Sequence, residues 1–327
     1  MAMQAENWNR SELIELLTMP YDRFCTEIMP RAKEVYRQAR GDELVASAML
    51  GYSNVCKNNC LYCGMRAKSD VKRYRIGADD VIQSAKTAKG MGFSRLFLIS
   101  GEDLGYGYEN LLQIIRSVKE LGLTLSLACG EFLPKQYAEF AALGVDEYVL
   151  KFEMSDRETF NRLNPSTDFD RRMKSIEAVQ NSGMRLASGN IVDFPGQTIE
   201  QLADDILLMR ELDICWAPVI PYMPAKGTPL AAEGGRGDIT LNLREISILR
   251  LMMPSIDITA QQPGHDPTRG LADDEGNLLA LGAGANKLFA DLLPDALVKN
   301  FSVIDNRITL GREHIQKMAE AAGMKLV

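Results

Sequence analysis

From about residue 45 onward, short apolar runs alternate with longer segments in which apolar residues recur every three to four positions. Short runs bounded by glycine or polar residues fit buried parallel strands, and the 3.6-residue period fits amphipathic helices covering them. The runs predict strands at Ala46–Val55, Arg95–Gly101, Thr124–Gly130, Glu147–Met154, Arg185–Phe194, Cys215–Met223, Ser255–Gln261 and Leu278–Gly282. The periodic segments predict helices at Ala78–Met91, Tyr108–Leu121, Pro134–Leu143, Phe169–Ser182, Ile199–Leu212 and Leu241–Met253. Gly92, Gly122, Gly144 and Gly183 stand where helices should stop, the place of a C-terminal cap.

Eight strands each followed by a helix predict an α/β fold, a complete (β/α)8 TIM barrel. Before it, Leu13, Ile14, Leu16 and Leu17, then Ile28, Ala32, Val35 and Tyr36, mark residues 1–44 as an N-terminal helical extension packed on the barrel. Residues 45–327 are the barrel with a C-terminal tail. An open doubly wound sheet is the structural rival. It would carry a Gly-rich turn after its first strand, but that turn here holds cysteines. Gly105-Tyr106-Gly107 and Gly282-Ala283-Gly284 complete no dinucleotide fingerprint and read as loops.

The chain has 327 residues, 46% hydrophobic and 25% charged, the balance of a globular protein. Its net charge of -7 opposes a phosphate backbone or an anionic leaflet, so neither nucleic acid nor membrane is expected as a partner. No run of 18 apolar residues occurs, and Met1–Arg10 is polar rather than the apolar core of a signal peptide. The expected location is the cytoplasm.

In that compartment six cysteines point to burial, metal binding or catalysis rather than disulfides. Cys25, Cys129 and Cys215 are dispersed, whereas Cys56, Cys60 and Cys63 fall on one loop directly after the first predicted strand. Barrels carry their chemistry on such loops. Three thiolates on one loop can reach three corners of an iron-sulfur cube. A structural zinc-binding module is the non-enzymatic alternative. It would need a fourth ligand, and the chain's two histidines, His265 and His314, lie far along the sequence.

Cys-x3-Cys-x2-Cys with an aromatic, Tyr62, before the third cysteine resembles the signature of radical S-adenosylmethionine (SAM) enzymes. The resemblance implies a 4Fe-4S cluster held by Cys56, Cys60 and Cys63. Its fourth iron would be left open for SAM, which is cleaved reductively to a 5'-deoxyadenosyl radical that abstracts hydrogen from a substrate. An open coordination position is what a reactive metal centre needs. The resemblance further implies that Ser100-Gly101-Glu102-Asp103 meets the methionine amino group, and that Glu153 and Arg172 handle the SAM ribose and carboxylate. Tyr62, Gly101, Glu102, Asp103, Glu153 and Arg172 are thus the candidate cofactor residues.

Within the superfamily the chain is similar, over about residues 46–290, to the group holding FeFe-hydrogenase maturases of the HydE type, methylornithine synthases and biotin synthases. The maturases look nearest, through Lys72-Arg73-Tyr74-Arg75, Pro195–Thr198 and Asp238–Leu243. Ile248–Pro254 and Gly282–Asn286 resemble methylornithine synthase equally. Two departures bear on the substrate. Lys151-Phe152-Glu153-Met154 replaces the Arg-His-Glu-Thr run of the maturases, and Thr259–Asp266 matches neither group. Gln261, Gln262, His265 and Asp266 are the expected substrate contacts, with Gln261 and His265 joining Glu153 and Arg172 as candidate catalytic residues. Arg73, Arg75, Tyr106, Tyr222 and Met223 are expected to line the cavity. The implied activity is that of a HydE-like enzyme acting on a small amino-acid-like substrate, with ferredoxin or flavodoxin as reductant. A carbon-skeleton mutase and biotin- or lipoyl-type sulfur insertion are the enzymatic alternatives. Sulfur insertion needs a second cluster, for which only Cys129 and Cys215 are placed, so a single cluster is expected.

Overall fold

The computed structural model describes residues 5–305 and 307–327. Three helices come first, α1 (Arg10–Thr18), α2 (Tyr21–Glu27) and α3 (Met29–Arg40). Asn9 caps α1 in a capping box with Glu12. The apolar stripes of α1 and α3 (Leu13, Leu16 and Leu17, then Ala32, Val35 and Tyr36) are buried. They lie against two later helices, Ile199–Glu211 and Ile239–Met252.

Eight parallel strands follow: β1 (Glu43–Ser53), β2 (Arg95–Ser100), β3 (Thr124–Ala128), β4 (Glu147–Val149), β5 (Arg185–Ala187), β6 (Trp216–Ala217), β7 (Asp257–Ile258) and β8 (Lys287–Asp291). They form one curled sheet in the order β8-β1-β2-β3-β4-β5-β6-β7, and Lys325–Leu326 adds to the start of β1. A single parallel bridge, Thr259 to Lys287, links the two ends of this path. Helices cross between successive strands and bury their apolar faces on the sheet's outside, as parallel pairing requires.

Along β2 the side chains divide by parity. Leu96 and Leu98 belong to the main core shared with the helices. Phe97 points to the inside of the curl, where it packs with Val149, Ala187, Trp216 and Phe289. The rings of Phe97, Trp216 and Phe289 meet at centroid distances of 5.2–5.7 Å. Beneath this aromatic plug lies a charged layer at the strands' N-terminal ends. Lys287 Nζ stands 3.3 Å from Asp257, 3.6 Å from Glu147 and 3.8 Å from the Trp216 ring centroid. Arg185 and Ser126 also bind Glu147, each at 2.6 Å. Buried charge survives there because each group has partners.

The predicted eighth strand is corrected. Leu278–Gly282 is the end of a helix, Asp274–Gly282, and the strand is Lys287–Asp291. A short apolar run does not distinguish a strand from a buried helix, whereas Asp273, whose carboxylate accepts from Glu275 N and Gly276 N, caps a helix start. Two other predicted strands break. Arg185–Phe194 splits into β5 and Ile191–Val192, and Cys215–Met223 into β6 and Ile220–Pro221; the two outer pieces pair with each other. Pro218 and Pro221 cannot donate to a ladder, which ends β6 early.

Candidate active site at the cysteine loop

The loop from Asn54 to Gly77 joins β1 to the helix Ala78–Gly90 and carries the three clustered cysteines. It is held from inside by one guanidinium. Arg73 donates to the carbonyls of Asn54 and Met65 at 2.7 Å, Arg66 at 2.5 Å and Ser69 at 3.3 Å. Asn54, fully buried, donates its amide to Lys72 O at 2.8 Å and Asn300 O at 2.6 Å, and accepts from Tyr74 N at 2.7 Å. Tyr62 donates to Asn164 Oδ1 at 2.8 Å, and Leu61 and Tyr62 pack on a small apolar cluster that includes Met154, Phe160 and Tyr222.

All six cysteines carry free thiols, and Cys56, Cys60 and Cys63 are half-buried. Burial pushes the Cys60 and Cys63 thiols up to about 12, with neighbouring cysteines adding to the effect in both. Two thiols buried in this way resist becoming thiolates unless a cation balances them, and a bound metal reverses that preference. The Glu102 N–H already donates to Cys56 Sγ at 3.4 Å, the kind of contact that tunes a ligating sulfur. Among the described residues no three His, Cys, Asp or Glu side chains are grouped to hold one metal ion. Nor does either histidine complete a zinc shell: His265 is exposed and pairs with Glu275 at 2.9 Å, and His314 contacts Asn277 at 3.0 Å and Asp274 at 3.3 Å. The donor set, three free thiols on one anchored loop, fits the corners of a cluster better than a closed zinc site.

Two glycines bring neighbouring strand ends against this loop. A Cβ on Gly101 would lie 2.3 Å from Val55 O and 2.7 Å from Cys56 Cβ. A Cβ on Gly130, whose φ is +97°, would lie 2.2 Å from Glu102 Cγ. The result is a descending series across three strand ends. Glu102 takes Lys57 at 2.6 Å and Asn58 at 2.8 Å. One strand on, Glu131 takes Arg172 at 2.8 Å and Arg171 at 3.1 Å. Burial alone would lower the Arg172 guanidinium, but Glu131 carries it above its ordinary value. Arg172 also donates to Lys151 O and lies over the Phe160 ring.

Glu153 completes the rim from the end of β4, with Lys151 Nζ 3.1 Å from its carboxylate. It adopts φ 64°, a conformation rare for a residue with a side chain, and is fixed there by N–H donation to Gly189 O and acceptance from Ile191 N, both 3.0 Å. Strain of this kind concentrates at functional sites. Behind it Asn190 donates to both Asp205 at 3.1 Å and Glu245 at 2.9 Å, two fully buried carboxyls. A cavity of about 700 Å³ opens outward from the ends of β2 and β3, between Glu102 and Glu131 and the helix residues Leu111, Gln136 and Lys174; the three clustered cysteines, Glu153 and Arg172 do not line it.

Other predicted positions are already engaged. Asp103 binds Arg75 through two contacts, 2.7 and 2.8 Å, and accepts from Ser53 at 2.6 Å. Tyr106 donates to Ile76 O at 2.9 Å. Gln262 is fully buried, donating to Val219 O at 2.7 Å and Thr259 O at 2.9 Å. Gln261, beside it, is half-buried beyond β7; Asp266 caps its own loop by accepting from Thr268 N at 2.8 Å; Met223 is buried. Glu131 went unnoticed in the sequence although Cys129-Gly130-Glu131 repeats the Gly-Glu step of Ser100-Gly101-Glu102 at the next strand end.

Residues 51–209 match the radical SAM superfamily. Over 87% of its length the chain is 30% identical to a biotin synthase of Acinetobacter baylyi, covering 85% of that protein. The chain belongs to the radical SAM superfamily. It is 29% identical over 330 residues to the FeFe hydrogenase maturase subunit HydE of Thermotoga maritima, covering 99% of this chain and 93% of that one. The crystal structure of methylornithine synthase (PylB) superposes with a TM-score of 0.85 at 26% identity, covering 98% of this chain and 95% of that one. As a radical SAM protein the chain is an enzyme of a family that cleaves SAM with a 4Fe-4S cluster. No helix among the described residues is long and apolar enough to cross a membrane.

Proposed function

We propose that Cys56, Cys60 and Cys63 hold the 4Fe-4S cluster and that SAM lies across the strand ends beside them. When bound, the cluster supplies the electron that opens the sulfonium of SAM. The chain's own residues do the positioning. Glu102, with Gly101 seating it beneath Cys56, is placed to accept from an ammonium group. Arg172, held by Glu131, is placed to meet a carboxylate, and Glu153 to accept from ribose hydroxyls. Tyr62 keeps the loop fixed through Asn164, and Asp103 ties the loop's outer arm through Arg75. The observation that carries this reading is the three-step arrangement of Cys56, Glu102 and Glu131–Arg172 on adjacent strand ends.

We further infer a HydE-like role on a small amino-acid-like substrate, supported by similarity to the maturase along nearly the whole chain. Its contacts would come from Lys151 and Gln261 inside the mouth; His265 would have to turn inward from Glu275 to join them. The likeness to methylornithine synthase favours a carbon-skeleton mutase as the second reading. The bridge between Thr259 and Lys287 supports a closed (β/α)8 barrel over residues 45–327, with 1–44 as a helical extension whose residues 1–4 lie outside the described part. Anaerobic reconstitution tests the proposal: about four irons and four sulfides per chain are expected, with 5'-deoxyadenosine formed on reduction with SAM. Cys60→Ala should abolish that product. Stoichiometric zinc without iron, or SAM cleavage retained in Cys60→Ala, would overturn it.

A further inference from the structure

The Glu153 carboxylate has one ion-pair partner among the described residues, Lys151 at 3.1 Å, so its direction is set less by side-chain contacts than by the backbone beneath it. That backbone is unusual. Met154 N donates to Phe152 O at 2.8 Å across Glu153, whose φ is 64°, which makes Glu153 the centre of a γ-turn of the rare, strained hand. From this turn the side chain comes near enough to the cysteine loop for its charge to add to the upward push on Cys60, Tyr62 and Cys63. A strained turn persists only where its surroundings over-determine it.

The surroundings here converge on one acid. Before the turn, Ser188 Oγ accepts from Phe152 N at 3.2 Å. After it, Ser155 N donates to Asp205 Oδ1 at 2.6 Å. Asn190 is bridged to Glu153 in parallel register, and its side-chain amide donates to Asp205 Oδ2 at 3.1 Å and to Glu245 Oε1 at 2.9 Å. Gln197 Nε2 brings a third donor to Asp205, also at 3.1 Å. Asp205 therefore ties the residue two beyond Glu153 to the residue bridged opposite it. Its helix, Ile199–Glu211, keeps Asp204 outside, paired with Arg10, and drives Asp205 to full burial. A carboxyl at that depth costs free energy unless donors converge on it, and two of the three donors belong to the turn's flank and its bridge partner.

We propose that Asp205 is a positioning residue, holding the γ-turn that presents Glu153 to the site. Being fully buried, Asp205 touches no ligand itself. The proposal rests on the cofactor reading above for what Glu153 meets, the ribose of SAM, though not for the turn. Without Asp205 the Ser155 N–H and the Asn190 amide lose their shared acceptor, the turn relaxes to a negative φ and the carboxylate swings away. The ribose end of SAM then loses its acceptor, while the methionine end, met by Glu102 and Arg172, keeps its own.

The test compares binding of SAM and of methionine, which has the ammonium and carboxylate but no ribose, to the reconstituted holoenzyme by equilibrium dialysis. Asp205→Ala should raise the SAM Kd by about tenfold or more and leave the methionine Kd unchanged. Glu153→Ala should do the same, and the double variant should lose no more than either alone, because both remove one contact. Asp205→Asn, whose Oδ1 still accepts from Ser155 N, should recover most of the SAM affinity. Asn190→Ala breaks the same link from the opposite side and carries the comparison where Asp205→Ala does not fold. A merely structural Asp205 would weaken both ligands together or add its loss to that of Glu153→Ala. Either result overturns the proposal, as does an unchanged SAM Kd in Asp205→Ala where Glu153→Ala raises it. The crystal structure of the Asp205→Ala or Asn190→Ala protein should show Glu153 at a negative φ with its carboxylate drawn off Lys151; an intact turn also overturns the proposal. If Glu153→Ala leaves SAM binding unchanged while the crystal shows the turn relaxed, the ribose reading fails and the positioning role stands.

Discussion

Gly101→Ala tests whether the cysteine loop is seated by direct contact with the end of β2. The added methyl would stand 2.3 Å from the Val55 carbonyl oxygen and 2.7 Å from Cys56 Cβ. Both atoms are fixed by the backbone, so no side-chain rotation relieves the contact. Since comfortable separation is about 3.5 Å, the loop must retreat by roughly 1 Å. Overpacking of this order costs about 1–3 kcal/mol. In a domain of this size each kcal/mol lowers Tm by about 2 °C, so a fall of about 2–6 °C is expected by differential scanning fluorimetry. The chemical effect should be larger, because a displacement of about 1 Å at a reacting centre can slow turnover about 100-fold. Formation of 5'-deoxyadenosine by the anaerobically reconstituted variant reads that loss, and Gly235→Ala, which meets nothing within 4 Å, is the control. A Gly101→Ala protein with wild-type Tm, iron content and product rate would refute the seating argument.

Burial raises Asp205 to about 7 and Glu245 to about 8, with their mutual repulsion adding to the shift of Glu245. Raised carboxyls favour the folded state fully below the ordinary carboxylate range and lose that contribution as pH climbs through the folded values. Tm should therefore fall between about pH 4 and pH 8, and Glu245→Gln should flatten the fall; a profile that rises over that window in the wild type would contradict it. Glu131→Ala leaves Arg172, with only 11% of its side chain exposed, without its carboxylate. The expected cost is about 3–5 kcal/mol in a denaturant titration, with weaker SAM binding by equilibrium dialysis; an unchanged midpoint would count against the pair.

Much of this was legible in the chain because local signals agreed with the tertiary outcome. Strands β1, β2 and β3 begin or end within a few residues of their apolar runs, and Thr198 and Gln201 announce their helix through a capping box. The cysteine loop needs no tertiary knowledge, since its ligands are adjacent. What stayed hidden depends on partners distant in sequence. Asp205 sits beside Asp204 in a helix and looks solvated until Ser155, Asn190 and Gln197 converge on it. Glu245 lies on a helix buried nearly all round, where no polar face marks it. Lys287 disguised β8, because a charge opening a strand is natural only where Asp257 and Glu147 wait inside the curl. The helices Arg157–Leu163 and Arg312–Ala322 were also missed, both with more polar than apolar residues.

The aromatic plug above Lys287 has a bearing on traffic. Phe97, Trp216 and Phe289 pack ring against ring across the curl above Lys287, so a small molecule reaching the cysteine loop would approach from the loop's own side of the sheet rather than from the charged layer.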